Sequence, residues 1–402
     1  MRPRIARFGG ALAVGTALTL GLAACGGGSD TPKQDATGGG DAAAPASITV
    51  GFVGDLAGDN AAIVIPPRNG AQLAFDEYNA KNPKVKIEFK AYDSKGDAST
   101  AANLVKTAIQ NDKISALIGP AFSGESQQVQ PILEEAKIPS VSPSATRTDL
   151  ASKGAKYWHR IVANDDVQGP GAAEFAGRAI TAKKVFVIDD KSAYGQGLAQ
   201  AVAKTMGEKG AEVQADSFEA TETDFSAAVN KAAAFKPDFV FFGGYYAQGG
   251  PLLKQLRDKG VTGRFMSGDG SLHTKFIEGA GAQQAEGTLF SCPCKIAYAF
   301  AAKDEKAKTF TETFKTKFQG QLPEIYATEG YDAASTIIKA VEAGNTTPEK
   351  INEFIATADF EGLGKHVKYN PNGEIADTNV YIYQVKNGTV EAVGNSKDAT
   401  LG

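Results

Sequence analysis

The sequence predicts an α/β protein built as two similar lobes, each a parallel sheet covered by helices. From Ile48 onward, short β-rich runs alternate with helical periodicity, which is the pattern of strands joined by crossover helices. The alternation starts afresh after Asp165 and Asp166. Residues 47–402 also suffice for about two domains at roughly 150 residues each.

In the first series the strand signals fall at 48–53, 85–92, 116–118 and 140–142. The stretch 70–79 reads as a helix with Ala71, Ala74, Phe75 and Tyr78 on one face, and 99–111 reads as a second. The second series has strands at 185–188, 213–218, 239–242 and 265–267. Between them Leu198, Ala201, Val202, Thr205 and Met206 form one apolar stripe, and Leu252, Leu253 and Leu256 form another that stops at Gly260. The boundary between the series falls at 161–166. A strand at 288–291 then leads into helical segments at 304–318 and 324–343, and a terminal strand follows at 380–385.

The N-terminus has a different character. Arg2, Arg4 and Arg7 precede an apolar stretch over 11–23, the order of a secretory signal. That stretch is too short to span a bilayer as a stable helix. It ends in Leu22-Ala23-Ala24-Cys25, which resembles the lipobox of bacterial lipoproteins, where cleavage leaves a cysteine that takes a lipid. The expectation is a signal peptide over 1–24, lipidation at Cys25, and an exported protein anchored at the outer face of the cytoplasmic membrane or in the periplasm. Residues 26–46 contain no apolar side chain larger than alanine or proline and read as a tether with an r.m.s. reach of about 25 Å.

Charge and composition exclude several classes. The full chain carries −4; loss of the signal removes three arginines and no acid, leaving −7, which argues against a nucleic-acid partner. His159, His273 and His366 stand alone in sequence, so neither a metal nor a cofactor is expected. Cys292 and Cys294 flank Pro293. In an exported protein such a pair can oxidise, although an i, i+2 spacing lies near the upper limit of allowed Cα separation, so disulfide and free thiols both stand.

In open parallel sheets, ligands lie beyond the carboxyl ends of the strands. Those loops carry Phe122 to Ser126 and Pro143 to Thr146 in the first series. In the second they carry Tyr194-Gly195, Gly243-Gly244-Tyr245 and Gly268-Asp269-Gly270. The first set offers hydroxyls beside free N–H groups at a helix start, suited to a carboxylate. The second offers phenols and one carboxylate, suited to an apolar body with a cationic end. A zwitterion satisfies both. Taken singly, Ser123, Ser144 and Thr146 also read as N-caps or turn residues, Asp269 as a turn residue, and Tyr194 and Tyr245 as packing.

Order along the chain adds to this. From GFVGDLAGDNA through LIGPAFSGESQ, SVSPSATRTDL, DDKSAYGQGLAQAV, PDFVFFGGYYAQG and FMSGDGS, the sequence resembles the type I periplasmic solute-binding proteins of branched-chain amino acid ABC transporters. The resemblance covers nearly all of 47–390. It implies two three-layer lobes joined by crossover hinge strands, with 47–163 plus 292–380 in one lobe and 164–291 plus 381–402 in the other. It also implies a monomer that binds a small-molecule amino acid and delivers it to ABC permease subunits.

By the same resemblance, Ser123 and Thr146 hold the ligand carboxylate and Tyr245 adds its phenol. The Ser144 carbonyl and the Asp269 carboxylate take the ammonium, Ala145 lies in the same loop, and Tyr194 closes over the ligand. Ile63 and Phe122 line the wall. Ile63 stands where the leucine-type binders have an aromatic residue, Asp269 where they often have glutamate, and Phe122 at one position of the family's first-lobe disulfide. Cys292-Pro293-Cys294 falls where the chain crosses between lobes. Competing readings are a binder of an aromatic or aliphatic carboxylate and a ligand-sensing lipoprotein. An enzyme is not expected: G-x-S-x-G, H-E-x-x-H and the phosphate-binding G-x-x-x-x-G-K-[ST] are all missing.

Overall fold

The computed structural model describes residues 45–152 and 154–401. The expected signal segment, Cys25 and the tether as far as Ala44 lie outside the described residues.

Five short strands form the first sheet: β1 (Ser47–Gly54), β2 (Lys86–Asp93), β3 (Ala116–Ile118), β4 (Ser140–Ser142) and β5 (Trp158–Arg160). They pair in the order β2-β1-β3-β4-β5, all parallel. Between them run α1 (Ile65–Ala80), α2 (Ala98–Gln110) and α3 (Ser123–Ala136). Because strand side chains alternate between faces, Val53 and Leu117 pack with Ala101, Val105, Val129 and Leu133 of α2 and α3. Val50 and Phe52 face Ala71, Ala74 and Phe75 of α1 instead.

The chain then enters α4 (Asp165–Phe175), capped by the Asn164 side chain. The second sheet contains β6 (Lys184–Asp189), β7 (Glu212–Ser217), β8 (Phe239–Gly243), β9 (Arg264–Ser267) and β10 (Leu289–Cys292). Their connections are α5 (Ala193–Glu208), α6 (Ser226–Phe235), α7 (Tyr246–Asp258), α8 (Thr274–Ala280) and α9 (Ala282–Ala285). The same alternation decides the packing. Val185 and Val187 of β6 meet Leu198, Val202 and Met206 of α5. Phe186 and Ile188 turn the other way, into the cluster that holds Leu252, Leu253 and Leu256 of α7.

After β10 the chain does not stay with the second sheet. It forms α10 (Ala297–Phe300), α11 (Glu305–Lys317), α12 (Ala327–Glu342), α13 (Pro348–Thr357) and a small hairpin, β11 (Asp359–Glu361) with β12 (His366–Lys368). Helix α12 lies against α1, close enough that glycines are needed on both sides. A Cβ on Gly70 would sit 2.0 Å from the Ala327 carbonyl oxygen, and one on Gly330 would sit 2.0 Å from that of Pro67. The chain then returns as β13 (Tyr381–Lys386) and β14 (Thr389–Asn395), antiparallel additions to the second sheet. That sheet has the order β14-β13-β10-β9-β8-β6-β7.

The expected elements over 48–343 are present with ends shifted by a few residues. Helix α12 begins later than the pattern over 324–343 suggests, because Tyr326 ahead of it is in the left-handed region at φ 62°. Cys292 and Cys294, at the end of β10, are joined by a disulfide with Cα atoms 5.0 Å apart. This is inside the usual range for disulfides rather than near its upper limit. Among the described residues, no helix is long and apolar enough to cross a membrane.

Candidate functional site

The carboxyl ends of strands from both sheets converge on one pocket. It is lined by Ile63, Val64, Ala121, Phe122, Ser123, Ser144, Tyr194, Tyr245, Asp269 and Tyr326.

The first-sheet side of the pocket is a helix start beside a supported loop. Ser123 is the first residue of α3, where first-turn N–H groups have no acceptor within the helix and favour an anion. Its buried Oγ accepts from the Arg147 N–H at 3.3 Å, which leaves the hydroxyl proton free to point elsewhere. The loop 144–147 is held from beneath. Arg160 Nη1 donates to the carbonyls of Ala145 and Arg147 at 2.9 and 2.8 Å. The same guanidinium grips Glu374 in a two-pronged buried pair. Ser144 Oγ donates to the Ala121 carbonyl at 2.7 Å, tying this loop to the one before α3. None of the three hydroxyl residues 123, 144 and 146 is an N-cap; that position of α3 belongs to Phe122.

Asp269 dominates the second-sheet side. It is buried, and its carboxylate accepts from Gln168 Nε2 at 2.7 Å, the Tyr194 hydroxyl at 2.9 Å and the Tyr326 hydroxyl at 2.6 Å. Burial pushes its pKa up, and these three donors oppose the rise. All three are neutral. A carboxylate offers about four lone-pair sites, so one acceptor direction remains. The glycines around Asp269 are required by Tyr194: a Cβ on Gly268 would sit 2.4 Å from the phenol oxygen, and one on Gly270 2.6 Å from the ring.

Tyr194 is also fixed from behind, since its oxygen accepts from the Gly270 N–H at 3.0 Å. It is therefore an anchored wall as well as a donor. Tyr245 lies between Phe122, 4.9 Å away by ring centroids, and Tyr194, at 5.2 Å, so an aromatic row runs from the first-sheet loops to the second. Its backbone N–H donates to Asp190 at 3.2 Å. Hydrogen bonds beyond the pocket also join the loops around the two sheets. Arg147 Nη1 donates to the Ala193 carbonyl at 2.7 Å, and the Ala62 N–H donates to the Tyr246 hydroxyl at 3.3 Å.

All the side chains singled out in sequence lie at this pocket or its supporting loops, save Cys25, outside the described residues, and the Cys292–Cys294 pair at the end of β10. Thr146 is buried in the loop next to Ser144, with its hydroxyl unpaired. Sequence reasoning missed Gln168, Val64, Ala121 and Tyr326. Tyr326 arrives from a segment more than fifty residues beyond the last expected site loop, and only the packing of α12 against α1 carries it there.

Comparison with known proteins agrees with the geometry. A leucine-specific-binding protein of Salmonella typhimurium is 33% identical over 343 residues, 84% of this chain and 90% of that protein. The leucine binding protein LivK of Thermotoga maritima matches with a TM-score of 0.80 at 30% identity, over 87% of this chain and 98% of that one. LivJ of Streptococcus pneumoniae, a branched-chain amino acid transporter substrate binding protein solved with isoleucine, matches at 0.78 and 29%, over 87% and 99%. A family model described as periplasmic binding protein matches residues 47–389, from the first strand into the last hairpin and across every loop that lines the pocket. This chain, with its two parallel sheets opening on one small polar-ended pocket, belongs to the periplasmic binding protein family.

Proposed function

We propose that this protein is the extracytoplasmic solute-binding subunit of an ABC importer and takes an amino acid with an apolar side chain into the pocket between its lobes. The observation that carries this is Asp269: a buried carboxylate with three neutral donors and one acceptor direction left, facing a helix start suited to an anion. A buried carboxylate without a cation is costly. An ammonium from the ligand relieves that cost while the ligand carboxylate meets Ser123 and Thr146. Ser144 and Ala145 shape the loop under the ammonium, Tyr245 and Tyr194 close the sides, and Ile63 and Phe122 wall the side-chain end.

In this reading 47–163 plus 292–380 make one lobe and 164–291 plus 381–402 the other. The ligand binds donors on the first and Asp269 on the second, so it favours the closed arrangement, and only that difference in affinity drives closure. Hinge closure of this kind is the established behaviour of periplasmic binding proteins. The closed monomer then docks on its permease. A lipid on Cys25 keeps it at the membrane, with the Cys292–Cys294 bridge stiffening one crossing.

The test is thermal stabilisation by a panel of all common amino acids, since stabilisation scales with occupancy. An apolar amino acid stabilises the protein and its deaminated analogue does not. Equal stabilisation by the analogue means a carboxylate binder instead. Asp269→Asn keeps the shape and costs about 2 to 5 kcal/mol of binding by calorimetry, because the ammonium is left unpaired; unchanged affinity refutes the assignment. Cys25→Ser leaves affinity intact and releases the protein from membranes on fractionation.

A further inference from the structure

A second buried acid lies beside the pocket and belongs to none of the roles above. Asp165 opens α4, at the point where the chain passes from the first sheet to the second. It is fully buried, and neither carboxyl oxygen has a hydrogen-bond partner. Its backbone N–H donates to the Thr146 carbonyl at 2.9 Å, so the two residues are fixed side by side. The Thr146 hydroxyl is also buried and unpaired. It stands near enough to lower the pKa of Asp165, yet neither side makes a hydrogen bond of good geometry.

Two unpaired polar groups in contact, one of them a proposed ligand contact, amount to a pair whose protons are not yet directed. An ionised carboxylate only accepts; a protonated one also donates. Beside an ionised Asp165, the Thr146 hydroxyl would give its proton to the acid and turn its lone pairs toward the ligand carboxylate, acceptor against acceptor. Beside a protonated Asp165 the order reverses.

We propose that Asp165 is a positioning residue: carrying a proton taken from solvent, it donates to Thr146 Oγ1 and so aims the Thr146 hydroxyl proton at the carboxylate of the ligand. The proposal rests on the amino-acid reading given above.

The surroundings favour the protonated form. The pKa of Asp165 is pushed up to about 8, by burial most and then by the nearby Asp269 and Asp166. Thr146 and Arg160 pull it down. Arg160 is already committed to Glu374 and two loop carbonyls. From α5, Tyr194 faces it, and a Cβ on Gly197 would sit 3.6 Å from Asp165 Oδ2 and 3.8 Å from Arg147 Cγ. Tyr245 at the start of α7 completes the set. Asp269 and Asp165 therefore divide the work: the first, held by three donors, meets the ammonium, and the second, with none, stays neutral for the carboxylate.

The experiment titrates the full-length protein and its Asp165→Asn variant with L-leucine, L-isoleucine and L-valine by calorimetry between about pH 6 and about pH 9. Asparagine donates through its amide whatever the pH. At pH 6 the two proteins bind alike. At pH 9 wild-type affinity falls about tenfold relative to the variant, as expected for one proton lost with a pKa of about 8. The ratio cancels changes common to both, such as deprotonation of the ligand amine. At pH 8, measurements in buffers of different ionisation enthalpy find about half a proton taken up on binding by wild type and none by the variant. Thr146→Val, placed on both backgrounds, removes the pH-dependent difference between them.

Parallel pH profiles for wild type and Asp165→Asn overturn the proposal. So does a loss in Asp165→Asn at pH 6 as large as that in Asp269→Asn, which would mean that Asp165 is an anion meeting the ammonium. Failure of wild type to bind any of the three amino acids at any pH overturns the amino-acid reading itself, and the relay with it.

Discussion

Asp269 is a buried carboxylate held by donors of no charge. Its three donors come from three places in the chain, Gln168 on α4, Tyr194 on α5 and Tyr326 ahead of α12, and each fixes one lone pair. Tyr326→Phe removes one of them. A hydrogen bond to a charged group contributes about 1.5–3 kcal/mol, so the carboxylate loses that support and its pKa, already raised by burial, rises further. In the proposed function, ligand binding needs the ionised form. The loss of affinity on acidification therefore begins at higher pH in Tyr326→Phe than in wild type, which calorimetric titration over a pH series detects. At this scale the sequence was partly legible. Asp269, Ser123 and Thr146 follow shortly after β-rich runs, and that rule alone singled them out as candidates. Tyr326 and Gln168 sit within helical or irregular stretches, and no local pattern distinguishes a tyrosine that reaches a pocket from one that packs in a core.

At the scale of elements, the contact of α1 with α12 depends on backbone touching backbone. Gly330→Ala introduces a Cβ where the Pro67 carbonyl stands at 2.0 Å, and backbone cannot yield as a side-chain tip can. The cost is about 1–3 kcal/mol, the range for overpacking, read as a lowered melting temperature with unchanged helical content. Since α12 carries Tyr326 to the pocket, the same change also weakens ligand binding. The parallel strands other than β5 were legible as β-rich runs between turn residues; Trp158-His159-Arg160 is too short and too polar to show as one. The strand β14 and the helix α13 were among the elements missed although their signals were present. Asn387-Gly388, both with positive φ, joins β13 to β14 and is the strongest short hairpin signal. Thr347-Pro348 opens α13 with a cap and a proline in the first turn. The packing of α12 on α1 had no such signal, because it joins segments far apart in the chain.

For the whole molecule, buried acids set the response to pH. Burial lifts Glu125 and Asp332 to about 7 and Asp165 to about 8. Each is protonated in the fold at a pH where the unfolded chain has released its proton. Their contribution is fully present below the unfolded values near 4 and is lost as pH rises through 7 and 8. Buried His159, lowered to about 4, works the other way: its contribution is present above about 6.5 and fades as pH falls. Three carboxyls outweigh one imidazole, so calorimetry finds a higher melting temperature at about pH 5 than at about pH 8. A higher value at pH 8 would mean that these acids are ionised in the fold.

The return of α12 to α1 also governs when the first lobe can be finished. Helix α1 ends at Ala80 and α12 begins at Ala327, so a ribosome has made most of the chain before the core around Phe75 meets Ile337. Contacts of such separation form late and slowly. A nascent chain that cannot complete either half early stays open and threadable. If the signal expected over 1–24 sends the chain through an export channel before it folds, that delay is an asset built into the order of its elements.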